Sequence, residues 1–376
     1  MLSRMSTPRN GRSLLLAPTW EGQAAPEELA RAAAAGDRAR TDYVALAEGL
    51  GADIMDWSYF QTRATAAARA VARRSGYVPA QVLEAYLRRN RYSHIVIKAD
   101  KLGLPLALLH KLTRARRDLV LISVWLSRPK KAMFLHPLDA HTHLKAIIFA
   151  SSAQKEIAEH QLGVPPEKLV FALQPADDRF WRPDGRPTEN LVCSVGSEQR
   201  DYRTLVEAVR GADVRAEIAV GGIVFRTGDV DADLSPALRP LAAADLPSNV
   251  EVRQQLDHRD LRDMYARARI VVVPTEDVDF DAGVTVIAEA MAMGKPVIVT
   301  RSRGQRDLIR EGETGLHVPP GDSRAMREAI ERLLADPATV ERMGRAARAF
   351  AEQHLRLDDW VAKIVDATRA PATAAR

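Results

Sequence analysis

Cysteine is almost absent: Cys193 stands alone in 376 residues. A single thiol excludes a disulfide framework within the chain and points to a reducing, cytoplasmic compartment. Long apolar runs are missing too. None approaches the roughly 18 residues that a bilayer-crossing helix requires. The opening stretch, residues 1–12, is basic with few apolar residues behind it, so it is expected as a flexible tail rather than a signal core. Charge of one sign is not in excess overall, at +5, but it is unevenly spread. Residues 1–183 hold 27 basic and 17 acidic side chains, giving +10; residues 184–376 hold 27 and 32, giving −5. The basic half either presents arginines on solvated faces or meets an anionic acceptor or, peripherally, an anionic membrane surface. No groove-reading motif accompanies it, so nucleic acid is not expected as a partner.

What is present is an alternation of short apolar runs with helical patterns. Strands are expected at Ser13–Ala17, Asp53–Trp57, His94–Lys98, Leu119–Val124 and Ala146–Ala150. Helices are expected between them at Thr65–Arg74, Pro79–Arg89, Leu104–Arg116 and Ala153–Leu162. Runs such as HIVIK and LVLISV are continuously apolar, as strands buried on both faces of a parallel sheet are. A polar, Pro- and Gly-rich stretch then interrupts the pattern, and residues 176–189 are expected as a linker. A second series follows, with strands at Leu191–Val195, Glu217–Val220, Val250–Arg253, Ile270–Val273 and Pro296–Thr300. Its helices are Tyr202–Val209, Asp260–Ala268, Val284–Met293 and Ser323–Ala335. The expected architecture is α/β: two doubly wound, Rossmann-like domains, at 13–175 and 190–354, facing a central cleft. A final helix around 355–370 is expected to cross back to the first domain.

Chemistry concentrates in the stretch from Asp281 to Thr300. Gly283 precedes a run of helix formers and marks a helix start, with Val284 and Thr285 in the first turn. Thr285 and Glu289 are four apart and share a helix face. A diphosphate at this N-terminus would meet free backbone N–H groups and the positive end of the helix dipole. Glu289 lies about 6 Å further along the axis, where a carboxylate can accept from two ribose hydroxyls. The alternative is a plain amphipathic helix carrying one solvated Glu.

The stretch resembles the donor-site signature of the retaining GT-B glycosyltransferases of family 4. Glu289-Ala-Met-Ala-Met-Gly-Lys-Pro-Val-Ile matches the second half of that signature, and the first acid, separated from its Glu by seven intervening residues, is here Asp281 rather than the usual Glu. The resemblance implies that Asp281 sits near the transferred sugar and that Glu289 holds the ribose. Ser194-Val-Gly196 and Arg200-Asp-Tyr-Arg-Thr-Leu resemble the strand, loop and helix opening the family's second domain. They put Gly196 against the diphosphate and Arg200 in the place of a phosphate-clamping Lys, while Ser197 replaces the usual Arg. Val250 to Pro274 resembles the base-contacting segment, with Arg253 to Leu256 near the nucleobase. Gly312 to Asp322 resembles a turn and hairpin, and Asp177 to Pro183 the entry to the linker. The family's Gly-rich acceptor loop is replaced by Pro18-Thr-Trp-Glu-Gly22, and its cleft His by Ser123-Val-Trp125. Trp20, Lys98 and Trp125 are the acceptor-side candidates. His136, His141 and His143 are expected to be ordinary histidines.

The implied activity is retaining transfer of a sugar from a nucleotide-sugar donor to an unidentified glycan, lipid or small molecule. Neither a cofactor nor a metal is required, and Asp277-Val-Asp279 is expected as a loop feature. The rival readings are a sugar-nucleotide epimerase and a degenerate member that binds a nucleotide or partner without turnover.

Overall fold

The computed structural model describes residues 12–115, 117–220 and 246–371, so the tail expected at 1–12 lies, apart from Arg12, outside the described residues. Labels below run over the described residues. The first domain comprises β1 (Ser13–Leu16), α1 (Pro26–Ala34), α2 (Asp42–Leu50), β2 (Ala52–Met55), α3 (Trp57–Thr62), α4 (Ala66–Ser75), α5 (Tyr77–Arg88) and β3 (His94–Ile97). It continues through α6 (Asp100–Leu112), β4 (Asp118–Ser123), α7 (Pro129–Leu135), β5 (Ala146–Phe149), α8 (Ser152–His160) and β6 (Leu169–Phe171). The second domain comprises β7 (Leu191–Val195), α9 (Tyr202–Val209), β8 (Arg215–Val220), β9 (Val250–Gln254), α10 (His258–Arg267), β10 (Ile270–Val273) and α11 (Val284–Ala292). It ends with β11 (Val297–Thr300), β12 (Gly315–Val318), α12 (Ser323–Ala335) and α13 (Pro337–His354), and α14 (Leu357–Arg369) closes the described chain.

Each domain is built on a six-stranded sheet, ordered β2-β1-β3-β4-β5-β6 in the first and β12-β11-β10-β7-β8-β9 in the second. Every ladder is parallel. Side-chain alternation divides each sheet between two cores. Leu14 and Leu16 face one layer of helices and Leu15 and Ala17 the other; Cys193 and Val192 part in the same way across the second sheet. The doubly wound α/β reading is therefore what the chain adopts.

One detail differs from expectation. Gly312 to Asp322 is not a hairpin, because β12 pairs in parallel with β11, with Val297 opposite Gly315 and Thr300 opposite Val318. An 11-residue span carries the chain back to the starting edge of the sheet before the turn at Gly312, so the strand re-enters in the same direction.

The two chain crossings between the domains lie side by side. Ala176 donates its N–H to the Leu355 carbonyl at 2.8 Å and accepts from the Leu357 N–H at 3.1 Å. The helix therefore breaks at residues 355–356, and α14 alone returns to the first domain. There Leu357, Trp360, Ile364 and Val365 join the core of Leu15 and Val96. The polar stretch after Ala176 is a loose tether only in part. Residues 182–188 are exposed, yet Asp177 is buried and Phe180 and Trp181 enter the second domain's core.

Candidate donor site at the carboxyl ends of the second sheet

Topology selects the place. β7 and β10 are neighbours, although β8 and β9 lie beyond β7 on the opposite side, so the chain winds away from β7 in both directions. Such a switch point leaves a crevice at the carboxyl ends of the strands. Gly196 follows β7 there, and Asp281 and Gly283 follow β10.

Gly283 is the N-cap of α11, in the left-handed region at φ 84°, and no side chain caps the helix. A Cβ on Gly283 would meet Val273 Cγ1 at 2.6 Å and Arg200 Nη1 at 3.3 Å. A Cβ on Gly196, at φ 109°, would meet Arg200 Nη2 at 2.5 Å. The guanidinium of Arg200 is thus wedged between the two glycine turns, beneath the start of α11. It is 4% exposed. Its Nε donates to the Val195 carbonyl at 3.0 Å and its Nη1 to the Glu198 carbonyl at 2.8 Å. Among the described residues no carboxylate pairs with it, and burial lowers its pKa. A buried cation that donates to backbone carbonyls, with only the exposed Glu198 carboxylate in its field, is incompletely compensated. Together with an uncapped helix N-terminus, it makes a place for an anion.

On α11 the side chains sort by face. Thr285 is exposed in the first turn, Val284 is half-buried, and Val286, Ala290 and Met293 are buried against the sheet. Glu289 turns its carboxyl inward, where Oε2 accepts from the Tyr265 hydroxyl at 3.1 Å. Burial raises this carboxyl to about 8, against a small opposing pull from the Tyr265 bond. The same contact, with burial as the main cause, holds the Tyr265 phenol well above its ordinary value. Sequence reasoning missed Tyr265. No pattern marks it, since it reads as one more core aromatic on α10.

Asp281 is 6% exposed, and its Oδ2 is buried with no partner. Burial, aided by the nearby charge of Asp307, raises it to about 7. The loop carrying it is fastened from both domains. The Trp125 indole stacks on Phe280 with centroids 4.3 Å apart and donates to Asp279 Oδ1 at 2.7 Å. Gln154, fully buried, donates to the Asp279 carbonyl at 2.7 Å while its Oε1 accepts from Leu126 N–H at 2.8 Å. From the second domain, Gly304 donates to the Val278 carbonyl at 2.9 Å and Gln305 to the Ala282 carbonyl at 2.8 Å. Gln154 is a second residue that sequence reasoning missed. Asp277 accepts from Arg303 N–H at 3.1 Å while Asp279 turns to Trp125, so the Asp-x-Asp pair diverges. Among the described residues no cluster of His, Cys, Asp and Glu suits a metal.

Of the acceptor-side candidates, Trp125 alone meets these groups, through the Asp281 loop. Lys98, at the end of β3, pairs with Asp42 at the start of α2 at 2.5 Å. Trp125 lies between Phe280 and the guanidinium of Arg128, whose carbon sits 4.3 Å from the ring centroid. Trp20 is half-buried in the loop after β1. Lys131 of the basic run pairs with Asp100 at 2.7 Å. His141 is buried, with its pKa lowered by burial. In the base-side segment, Arg253 is engaged by Glu217 at 3.7 Å and Leu256 packs on the second domain's core.

Comparison with known proteins places this geometry. Residues 183–350 match the model of glycosyl transferases group 1. An alpha-D-kanosaminyltransferase of Streptomyces kanamyceticus is 33% identical over 213 residues, covering 54% of each chain. A D-inositol 3-phosphate glycosyltransferase of Catenulispora acidiphila is 29% identical over 241 residues, covering 64% of this chain and 51% of its own. The chain thus spans about half the length of the curated relatives it matches. Among solved structures, Anabaena HepE in complex with UDP and glucose superposes with a TM-score of 0.68 at 18% identity, covering 96% of this chain and 100% of that one. Sucrose-phosphate synthase from Thermosynechococcus elongatus gives 0.64 at 20% identity over 77% and 76%. Among the described residues no helix is long and apolar enough to cross a membrane.

Proposed function

From a chain that has the GT-B fold and whose residues 183–350 match the model of glycosyl transferases group 1, we propose a retaining glycosyltransferase that moves a sugar from a nucleotide diphosphate donor to an acceptor in the cleft. The observation that carries the reading is the meeting of Arg200, the uncapped start of α11 and two carboxyls raised by burial at one switch point. Anabaena HepE, which shares this fold, was solved in complex with UDP and with UDP-glucose, which supports a uridine donor.

The chemistry separates charge. As the glycosidic bond to the diphosphate breaks, negative charge gathers on the leaving phosphate and positive charge on the sugar. Arg200 and the N–H groups opening α11 are fixed in advance where the negative charge grows, which favours the transition state over the ground state. Gly196 and Gly283 keep that surface free of Cβ atoms, and Thr285 adds a hydroxyl donor. Glu289 accepts from the ribose hydroxyls and fixes the nucleotide. Asp281 keeps one buried carboxyl oxygen, Oδ2, without a partner, costly while the site is empty, and the carboxyl is stabilised as the sugar becomes cationic. These roles require no metal. Trp20, in the loop after β1, is the acceptor-side residue whose side chain is not claimed by an ion pair or a ring stack.

The test is turnover. Purified protein is incubated with UDP-glucose, and release of UDP and free glucose is followed by mass spectrometry, with the anomer of the first product read by NMR. The reading expects slow hydrolysis with α-product and a loss of at least tenfold in Asp281→Asn. No release from UDP-, GDP-, ADP- or TDP-sugars, or a β-anomer as first product, contradicts it.

A further inference from the structure

Beside the hinge, away from the donor site, a cavity of about 370 Å³ opens between the α1–α2 hairpin, the segment after Ala176 and α10. Five arginines line it. Two are already engaged: Arg40 by Asp177 and Asp358, and Arg179 by Asp358. The other three, Arg38, Arg182 and Arg262, have no carboxylate within ion-pair distance among the described residues. Arg38 is half-buried, with a pKa lowered by burial, and only its Nε is engaged, with the Ala39 carbonyl at 3.4 Å. Arg262 rests its guanidinium 4.7 Å from the Phe180 ring centroid. Thr41, which caps α2 without a side-chain bond to it, also lines the cavity, and its Oγ1 is buried with no partner. The rest of the lining is mostly apolar, with Leu29, Ala33, Val44 and Phe180, and includes the exposed carboxylate of Glu48.

We propose that this cavity binds a phosphate monoester carried on an apolar or aromatic body. Three guanidiniums without a carboxylate partner among the described residues suit a tetrahedral dianion, whose oxygens accept from more than one fork at a time. A single carboxylate would answer only one of them. The apolar part of the lining takes the body of the ester. The site shares no residue with the donor site, so it stands or falls independently of the proposed activity.

Titration calorimetry with phenyl phosphate, in the absence of nucleotide, tests it. Wild type and Glu289→Gln are expected to bind alike, while Arg38→Gln/Arg262→Gln binds at least tenfold more weakly. Neither arginine has a carboxylate partner, so this variant strands no charge. Ala33→Phe, which fills the cavity without touching its charge, is expected to weaken phenyl phosphate more than inorganic phosphate. Phosphatidic acid vesicles form a second arm. Co-sedimentation that is lost in the arginine variant places the phosphate on a lipid, and binding of phenyl phosphate alone places it on a soluble ester; either result supports the site. The proposal is overturned if wild type binds neither ligand, if the arginine variant binds as wild type does, or if Glu289→Gln abolishes binding instead.

Discussion

Asp281 and Glu289 are acids held at about 7 and about 8 by burial. Their ordinary values lie near 4, so the native state binds protons that the unfolded chain has released. For such groups stability is greatest below the unfolded pKa and declines as pH rises through the folded one, by up to about 1.4 kcal/mol per pH unit for each group. His258 works in the opposite sense. It stacks on Trp181 with centroids 5.7 Å apart, accepts from Ala39 N–H at 3.2 Å, and is lowered by burial and by Arg38 to about 4. Its contribution is complete above about 6.5 and is lost as pH falls toward 4. The carboxyls therefore dominate between pH 6.5 and 7.5, below the range in which buried Lys295, lowered to about 8, adds stability as pH rises. In that window the ligand-free protein is expected to lose thermal stability as pH rises. Asp281→Asn should reduce the slope and raise the melting temperature at pH 7.5. A melting temperature that is flat from 6.5 to 7.5, or one that Asp281→Asn lowers, contradicts the burial argument. This group is strained for function, in the way active-site groups often are.

At the level of elements, the loop between β10 and α11 is held to a narrow position. A Cβ on Gly304 would fall 2.1 Å from the Phe280 carbonyl oxygen, which is backbone and cannot swing aside. Gly304→Ala is expected to displace the Asp281 loop, at a cost of about 1–3 kcal/mol measured by urea denaturation, and to cut turnover more than nucleotide affinity. Equal stability and activity would mean that the loop is freer than its contacts imply. The returning helix α14 makes a separate prediction. Trp360 is 7% exposed within the first domain's core. Trp360→Ala should cost about 3–5 kcal/mol of first-domain stability and leave nucleotide binding in place. A loss confined to nucleotide binding would contradict that packing.

These elements also show what was legible in the sequence. Continuous apolar runs such as HIVIK gave their strands to within a residue or two, because burial on both faces leaves no room for polar positions. β6 has no signal in the sequence, since three residues, Leu169–Phe171, carry no period. β12 reads as half of a hairpin because its direction is set by the neighbouring strand, which local sequence does not encode. In the site, Gly283, Thr285 and Glu289 could be placed from helix periodicity alone. Tyr265, Gln154 and the Trp125–Asp279 bond could not, since each joins elements far apart in the chain.

For the whole molecule, the cleft is bridged on two sides. At the hinge side, Ala39 of the first domain donates its N–H to His258 Nδ1 of the second at 3.2 Å, and Asp37 pairs with Arg259 of α10. At the far side, Trp125 and Gln154 of the first domain hold the Asp281 loop of the second. Opening the cleft for a donor must therefore break the far contacts while the hinge contacts persist. Trp125→Phe keeps the ring stack but removes the N–H donor, so it is expected to favour opening and to raise KM for the donor less than it lowers kcat. A change in KM alone would place Trp125 in donor binding instead. The central claim, that α11 and Arg200 hold a nucleotide diphosphate with Glu289 on its ribose, is tested most directly by thermal stabilisation with UDP, GDP, ADP and TDP in wild type and Glu289→Gln. One nucleotide at 100 times its Kd should stabilise the wild type by about 2.7 kcal/mol, and the variant should bind it roughly 10–100-fold more weakly. Stabilisation by none of the four, or equal stabilisation of both proteins, would contradict the donor site.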